Sequence, residues 1–186
     1  ENITGQNIFF IDYNLLESKI VLNPYVEKVQ FEKSLPNTLT ILVEERAPAA
    51  LILVSGGVLE VDYNGIILKY YESWPKANCP VITGIEVSEN VGPGQKIDDA
   101  DLANLLKLIG QADKELLPLV SEVHLNAIGQ VYLYLSSGVE VRLGYGKDFT
   151  EKLSLLNELC KTKEYQSVES AVKYIDLTSG KPVLGR

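Results

Sequence analysis

Apolar and polar residues alternate along much of this chain, with the period of two that is typical of half-buried β-strands. In the first quarter, Leu39, Ile41 and Val43 share one face of a strand predicted over 38–45. Through a short proline-containing turn, this strand pairs with another strand predicted over 25–32. The pattern therefore predicts a β-hairpin.

A short helix is predicted before the hairpin. Asp12 is suited to its N-cap position, and Asn23-Pro24 ends it. One helix and two strands are few elements for a stable domain. We therefore expect that a strand or a helix preceding Glu1 is missing from this sequence.

The pattern changes at Pro48 to short β segments that are separated by tight turns. Asn64-Gly65 is the strongest hairpin signal in the chain, because both residues tolerate the positive φ angles of the favoured two-residue turns. The strands predicted in this region run over 50–54, 58–62, 66–70 and, as a brief strand, 79–84.

A helix and a three-stranded meander follow. Asp98 is predicted to cap the helix, whose leucines and isoleucine recur at i, i+3, i+4 and i+7 and so lie on one face. Strict alternation then predicts the three strands of the meander, over 123–125, 131–135 and 139–143.

The C-terminal segment begins with a second helix. Asp148 and Glu151 have the spacing of a capping box, and the helix is predicted to end near Thr162. A final broken strand is predicted over 174–177 and 181–184.

These elements form two predicted domains with a boundary near Pro48. The first, residues 1–47, contains one helix plus a β-hairpin. The second, residues 48–186, is a β domain with a mixed sheet and two helices. The predicted fold class is therefore α+β.

The composition is that of a globular protein, since 46% of the 186 residues are hydrophobic and can form a core. A net charge of -8 argues against nucleic acid and anionic membrane surfaces as partners. The apolar runs are far shorter than the roughly 20 residues of a membrane-spanning helix. Because the chain opens with Glu1 and has no leader, we expect it to be an excised part of a longer protein.

The sequence offers little material for catalysis or metal binding. His124 is the only histidine and is predicted to lie on the wet face of its strand, so we expect no catalytic residues and no pocket that holds it beside a carboxylate. Cys79 and Cys160 are too few for a zinc site. Cys160 is predicted as a small buried hydrophobe, with a single disulfide left open as the alternative. We predict no metal and no cofactor.

The last strand is the best physical candidate for a binding site. Pro182 cannot donate a backbone hydrogen bond to a ladder, which restricts its strand to a sheet edge or places the proline at a strand start. An edge strand offers unpaired N–H and C=O groups to a partner strand. The alternative is that this strand only ends the sheet and binds no partner.

Eight short motifs occur in a fixed order along the chain. They are Gly5 to Phe9, Asn23 to Val26, Leu35 to Leu39, Ile41 to Pro48, Val61 to Gly65, Pro80 to Gly84, Gly138 to Gly144 and Tyr174 to Leu177. In this order they resemble the extracytoplasmic part of the FtsQ/DivIB family of bacterial cell-division proteins. Two positions depart from the family pattern: Leu35 replaces an aromatic residue, and Thr178 stands where an arginine commonly follows Asp-Leu.

The resemblance implies a truncated POTRA domain followed by the β domain of this family. It implies a single-pass protein of the cell membrane, with this part outside the cytoplasm at the division septum and the transmembrane helix absent from the sequence. The implied function is that of a non-enzymatic divisome scaffold, which binds FtsB/DivIC and FtsL and links them to control of septal peptidoglycan synthesis. The alternatives are a POTRA-containing protein of outer-membrane assembly or secretion and, in another class, a cell-wall hydrolase.

The resemblance also implies which residues bind the partner, because family members engage FtsB or DivIC through the last strand of the β domain. By position, the implied contacts are Ser179, Gly180, Val183, Leu184 and Gly185.

A second set of residues lies at the predicted domain junction. It consists of Glu45, Arg46 and Pro48. We expect Glu45-Arg46 to orient the two domains through hydrogen bonds.

Overall fold

A computed structural model describes residues 5, 7–88 and 90–186. Glu1, and Gln6 of the motif Gly5 to Phe9, lie outside these residues. The described part contains four α-helices and eleven β-strands, which confirms the α+β class. By their internal contacts the residues divide into two compact units, 1–47 and 48–186.

The first unit contains one helix and a two-stranded antiparallel sheet. Helix α1 spans Tyr13–Ile20, strand β1 spans Val26–Ser34 and strand β2 spans Thr38–Glu45. Asp12 is the N-cap, as predicted, and its carboxylate accepts a hydrogen bond from the backbone N–H of Leu15 at 3.1 Å. The predicted helix plus hairpin is confirmed.

The hairpin of this unit buries little apolar surface. Phe31 lies opposite Ile41, and Val29 lies opposite Val43. Of these four, only Val29 is buried, whereas Ile41 and Val43 are 36% and 45% exposed. The helix contributes the ring of Tyr13, which meets Phe31 edge to face at 5.3 Å between centroids.

The second unit is built on one nine-stranded mixed sheet. Its strands are β3 (Pro48–Val54), β4 (Gly57–Asp62), β5 (Ile67–Tyr71), β6 (Val81–Thr83), β7 (Val120–Leu125), β8 (Val131–Leu135), β9 (Glu140–Gly144), β10 (Tyr174–Asp176) and β11 (Val183–Gly185). Their order across the sheet is β11-β10-β9-β8-β7-β6-β3-β4-β5. Strand β6 is parallel to both neighbours, β10 is parallel to β9, and the other pairs are antiparallel.

Helices α2 (Ala100–Gln111), α3 (Thr150–Lys161) and α4 (Lys163–Val168) complete this unit. Leu105 of α2 and Leu156 of α3 are almost fully buried in one hydrophobic cluster, together with inward-facing strand residues such as Leu133 and Val141. The residues that alternate with these along β8 and β9 are only half-buried and polar or aromatic. One face of the sheet is thus core, and the other is wet.

The structure corrects three details of the helices. The N-cap of α2 is Asp99, whose carboxylate accepts from the N–H of Leu102 at 2.7 Å, and not the adjacent Asp98. The predicted capping box at α3 does not form, because Asp148 accepts from both the N–H and the hydroxyl of Thr150. The unit also has three α-helices instead of two.

The additional helix, α4, carries almost no apolar signal. Its sequence is largely polar, and Tyr165 is the only one of its residues that is buried. Thr162 ends α3 and caps α4, accepting a hydrogen bond from the N–H of Tyr165 at 3.2 Å. In the described ranges, α2 and α3 are the longest helices at 12 residues, and none is long and apolar enough to cross a membrane.

Candidate functional site

The nine-stranded sheet ends in two edge strands, β5 and β11, which differ in how they are covered. At β5, the N–H of Ile67 donates to the carbonyl of Gln95 at 2.9 Å, and Gly94 donates back to Ile67 at 2.7 Å. Strand β11 pairs with β10 on its inner side, and no segment of the described residues pairs with its outer side. The more open edge of the sheet is therefore β11.

The turn between β10 and β11 is held by side-chain hydrogen bonds. The carboxylate of Asp176 accepts from the N–H of Thr178 at 2.8 Å and from its hydroxyl at 2.6 Å. These two bonds lower the pKa of Asp176 below its ordinary value of 3.8. Thr178, one of the two departures from the family pattern, thus supplies a hydroxyl that organises the turn. Gly180 then adopts a positive φ of 79°.

The structure brings the five predicted binding residues into this one hairpin. Val183, Leu184 and Gly185 form β11, whereas Ser179 and Gly180 lie in the turn before it. The side chains of Val183 and Leu184 are 53% and 41% exposed. Their assignment as partner contacts stays a prediction.

Pro182 lies immediately before β11. The prediction that this proline marks an edge strand or the start of a strand is confirmed, because β11 is an edge and begins at the next residue.

The three residues of the predicted junction lie close together in sequence at the end of β2 and the start of β3. Glu45 is the last residue of β2, and Pro48 is the first of β3. The backbone N–H of Arg46 donates to the carbonyl of Tyr25 at 2.7 Å, and its guanidinium lies 3.8 Å from the carboxylate of Glu27. Their expected role in orienting the domains stays a prediction.

The wet face of strands β7 to β10 forms an open cavity of about 570 Å³. His124, Glu140 and Asp176 all line it, so the prediction that no pocket would hold His124 beside a carboxylate is wrong. The strand register placed His124 correctly on the wet face. Alternation along single strands carries no information on the curvature of a twisted sheet, which brings these residues around one concavity.

The hydrogen bonds of His124 show what it can do chemically. The hydroxyl of Thr83 donates to the carboxylate of Glu122 at 2.5 Å and lies 2.7 Å from Nδ1 of His124. Because the hydroxyl proton is given to Glu122, Nδ1 of His124 must donate to the hydroxyl oxygen. These contacts tie β6 to β7, since Thr83 lies on β6 whereas Glu122 and His124 lie on β7.

Both cysteines are free and half-buried. Burial raises the pKa of Cys79 to about 11 and also raises the pKa of Cys160, so both are thiols at neutral pH. Cys160 packs against the hydrophobic cluster, as predicted for a small hydrophobe, but it is half-buried where the sequence predicted a buried residue. Within the described ranges, no group of three or more His, Cys, Asp or Glu side chains is placed to hold a metal ion.

Glycines in the sequence motifs have conformational roles. Gly84 has a φ of 81°, and a Cβ at this position would overlap the backbone carbonyl of Leu125. Gly144 has a φ of 74° and lies directly against the side chain of Thr178. These positions shape the sheet around the cavity and the last hairpin, and they bring no reactive group.

Sequence reasoning missed a pair of residues near the edge strand, Tyr174 on β10 and Arg142 on β9. The guanidinium of Arg142 lies 4.0 Å from the centroid of the Tyr174 ring. The signal for this pair is the strand register, since the two residues come from neighbouring parallel strands. That pairing is not visible in a single sequence.

Two family models match this chain. The family described as "Cell division protein FtsQ/DivIB, C-terminal" matches residues 50–178, and "POTRA domain, FtsQ-type" matches residues 1–46. The first match ends at Thr178, so β11 lies outside it.

Curated relatives match nearly the whole chain. "Cell division protein FtsQ" of Geotalea daltonii is 33% identical over 178 residues, which cover 93% of this chain and 62% of the relative. "Cell division protein DivIB" of Clostridium botulinum is 26% identical over 184 residues, which cover 97% of this chain and 71% of the relative. The chain thus spans less than two thirds of the length of the Geotalea relative.

One solved structure that matches is that of the major extracytoplasmic domain of DivIB, in its trans isomer, from Geobacillus stearothermophilus. It is 21% identical to this chain, with a TM-score of 0.44, and the match covers 60% of this chain and 87% of the other.

Proposed function

Because this chain belongs to the FtsQ/DivIB family of bacterial cell division proteins, we propose that it is a non-enzymatic scaffold of the division septum. It binds partners of the FtsB/DivIC and FtsL type and links them to control of septal peptidoglycan synthesis. This part of the protein works outside the cytoplasm at the septum and is held there by a single membrane-spanning helix of the whole protein. The family match favours this function over outer-membrane assembly or secretion.

The open edge of β11 is the observation that carries the proposal. Its outer N–H and C=O groups have no strand partner among the described residues, and Val183 exposes half of its side chain beside them. A strand of the partner can continue the sheet there, with backbone hydrogen bonds for affinity and side-chain contacts for specificity. At the opposite edge, residues 94–96 already use the backbone at the start of β5.

The length of β11 limits the binding free energy that backbone pairing with a partner strand can supply. Three residues span roughly 10 Å and offer few ladder bonds, each worth about 1 kcal/mol net. Backbone pairing alone therefore supports only weak binding. The exposed apolar side chains of Val183 and Leu184 supply the additional contact area that a specific complex needs.

Removing the edge strand tests the proposal. The partner's extracytoplasmic segment, of the FtsB or DivIC type, is titrated by calorimetry onto the full chain and onto a chain that ends at Thr178. A chain that lacks only Arg186, which follows β11, serves as the matched control. We expect the shorter chain to bind at least about tenfold more weakly and the control to bind like the full chain.

Circular dichroism at increasing temperature checks that the shortened chain is folded. A folded chain ending at Thr178 that binds the partner segment within about twofold of the full chain would contradict the proposal.

A further inference from the structure

Tyr174 and Gly185 are directly opposite each other on the last two strands. Next to this pair, the N–H of Lys173 donates to the carbonyl of Gly185 at 2.8 Å. The ring of Tyr174 lies over the backbone of Gly185 so closely that a Cβ at this glycine would overlap the ring carbons Cε1 and Cζ. A side chain at position 185 would therefore displace the tyrosine ring from this place.

The same tyrosine ring is also contacted by a residue of β9. The guanidinium of Arg142 lies 4.0 Å from the ring centroid, at a distance typical of cation–π contacts. Nε of Arg142 donates to the carboxylate of Glu140 at 2.7 Å, and this bond raises the pKa of Arg142. The guanidinium is thus oriented by its own strand and stacks on a ring of the next one.

An aromatic ring over a glycine on an edge strand shields backbone that has no side chain of its own. Strand β11 has only three residues, and the other two, Val183 and Leu184, are largely exposed. Few other contacts hold this strand in place. A short strand with little buried surface is also weakly specified in register.

We propose that Arg142, Tyr174 and Gly185 form a positioning stack, which keeps β11 paired with β10 in the register that presents its outer edge to a partner strand. In this inference Tyr174 and Arg142 are positioning residues. Gly185 acts in the stack through the space that it leaves for the tyrosine ring. The inference rests on the proposed function of β11 as the docking edge.

Two measurements test the stack, one of which needs no partner. Amide hydrogen exchange in the free chain reports whether Lys173 keeps its bond to Gly185. The affinity for the partner's extracytoplasmic segment reports whether the edge is usable.

Three variants test the parts of the stack one at a time: the tyrosine hydroxyl, the tyrosine ring and the space at Gly185. Tyr174→Phe keeps the ring, whereas Tyr174→Ala removes it. Gly185→Ala fills the space under the ring. Gly92→Ala is the matched control, because a Cβ at Gly92 meets no atom within 4 Å and its φ is not positive.

We expect Tyr174→Phe and Gly92→Ala to keep the wild-type protection of Lys173 and to bind within about twofold of wild type. Tyr174→Ala and Gly185→Ala should each lose roughly tenfold in protection at Lys173 and roughly fivefold or more in affinity. Protection of β3 and β4 should not change, which shows that the unit is still folded.

Unchanged protection of Lys173 in Gly185→Ala would overturn the stack, whatever the partner does. Lost protection with wild-type affinity would also overturn the inference, since binding would then not need a positioned β11. If the wild-type chain does not bind the segment at all, the proposed function fails, and the exchange measurement still decides whether the stack positions the strand.

Discussion

Placing a charge at Val183 should abolish partner binding and leave the fold intact. The side chain of Val183 is 53% exposed, so only about half of its apolar surface is removed from water in the free chain. Full burial of a valine is worth roughly 1.5–3 kcal/mol. Substituting the half-buried Val183 should therefore lower the folding stability of the free chain by about 1 kcal/mol. In the complex, an unpaired charge covered by the partner costs about 3 kcal/mol or more, which corresponds to roughly 100-fold in affinity.

The choice of charge separates an effect on the interface from an effect on the hairpin. Val183 lies directly opposite Asp176 on β10. Val183→Asp places two carboxylates opposite each other and loosens the hairpin, whereas Val183→Lys forms a favourable cross-strand pair with Asp176. Both substitutions, however, place a charge at the edge to which the partner strand would add.

The assay is calorimetric titration of the partner's extracytoplasmic segment, together with thermal unfolding followed by circular dichroism. Leu53→Asp is the matched control, because Leu53 is 54% exposed on β3, away from the β11 edge. We expect both Val183 variants to lose binding and Leu53→Asp to keep it. Binding by Val183→Lys within about threefold of wild type would refute the reasoning.

Three further predictions concern the fold around this edge. Gly84→Ala should destabilise the protein by about 3 kcal/mol or more in urea unfolding, because its φ is positive and a Cβ would overlap the carbonyl of Leu125; a loss below about 1 kcal/mol would be inconsistent with this geometry. The hydrogen bonds from Thr178 lower the pKa of Asp176. The stability that the Asp176 carboxylate contributes to the folded state is therefore fully present above the unfolded-state pKa, and it is lost as the pH falls through the folded-state pKa. Exchange protection of the last hairpin should therefore fall as the pH drops below about 4, and Asp176→Ala should remove this dependence. Cys79, whose pKa is raised to about 11, should react with a thiol reagent at pH 8 far more slowly in the folded than in the unfolded chain; equal rates would contradict its burial.

Local patterns predicted most of the strands and two of the three helices of the β domain. Alternation found the meander that became β7, β8 and β9, and Asn64-Gly65 marked a turn in which Asp62 accepts hydrogen bonds from two backbone amides. These signals succeed because hairpins and amphipathic helices are specified by nearby residues.

The order of the sheet could not be derived in this way. Strand β6 lies between β3 and β7 as a parallel partner of both, and these pairings join residues far apart in sequence. Helix α4 was missed because only Tyr165 gives it an apolar contact.

For the candidate site, the sequence predicted the edge strand but did not predict the contacts that hold this strand in place. Pro182 indicated an edge strand or a strand start by simple backbone chemistry, because a proline cannot donate to a ladder. The stack of Arg142 on Tyr174 over Gly185 depends on two strand registers at once. One of these is a parallel pairing that follows a helical crossover, which a single sequence does not reveal.

Amide hydrogen exchange of the full chain, with and without the partner's extracytoplasmic segment, tests the central claim most directly. If a partner strand adds to β11, the outward-facing amides of residues 183–185 gain protection on binding, and those of β5 at the opposite edge do not change. Binding that leaves residues 183–185 as exchangeable as in the free chain would contradict the account.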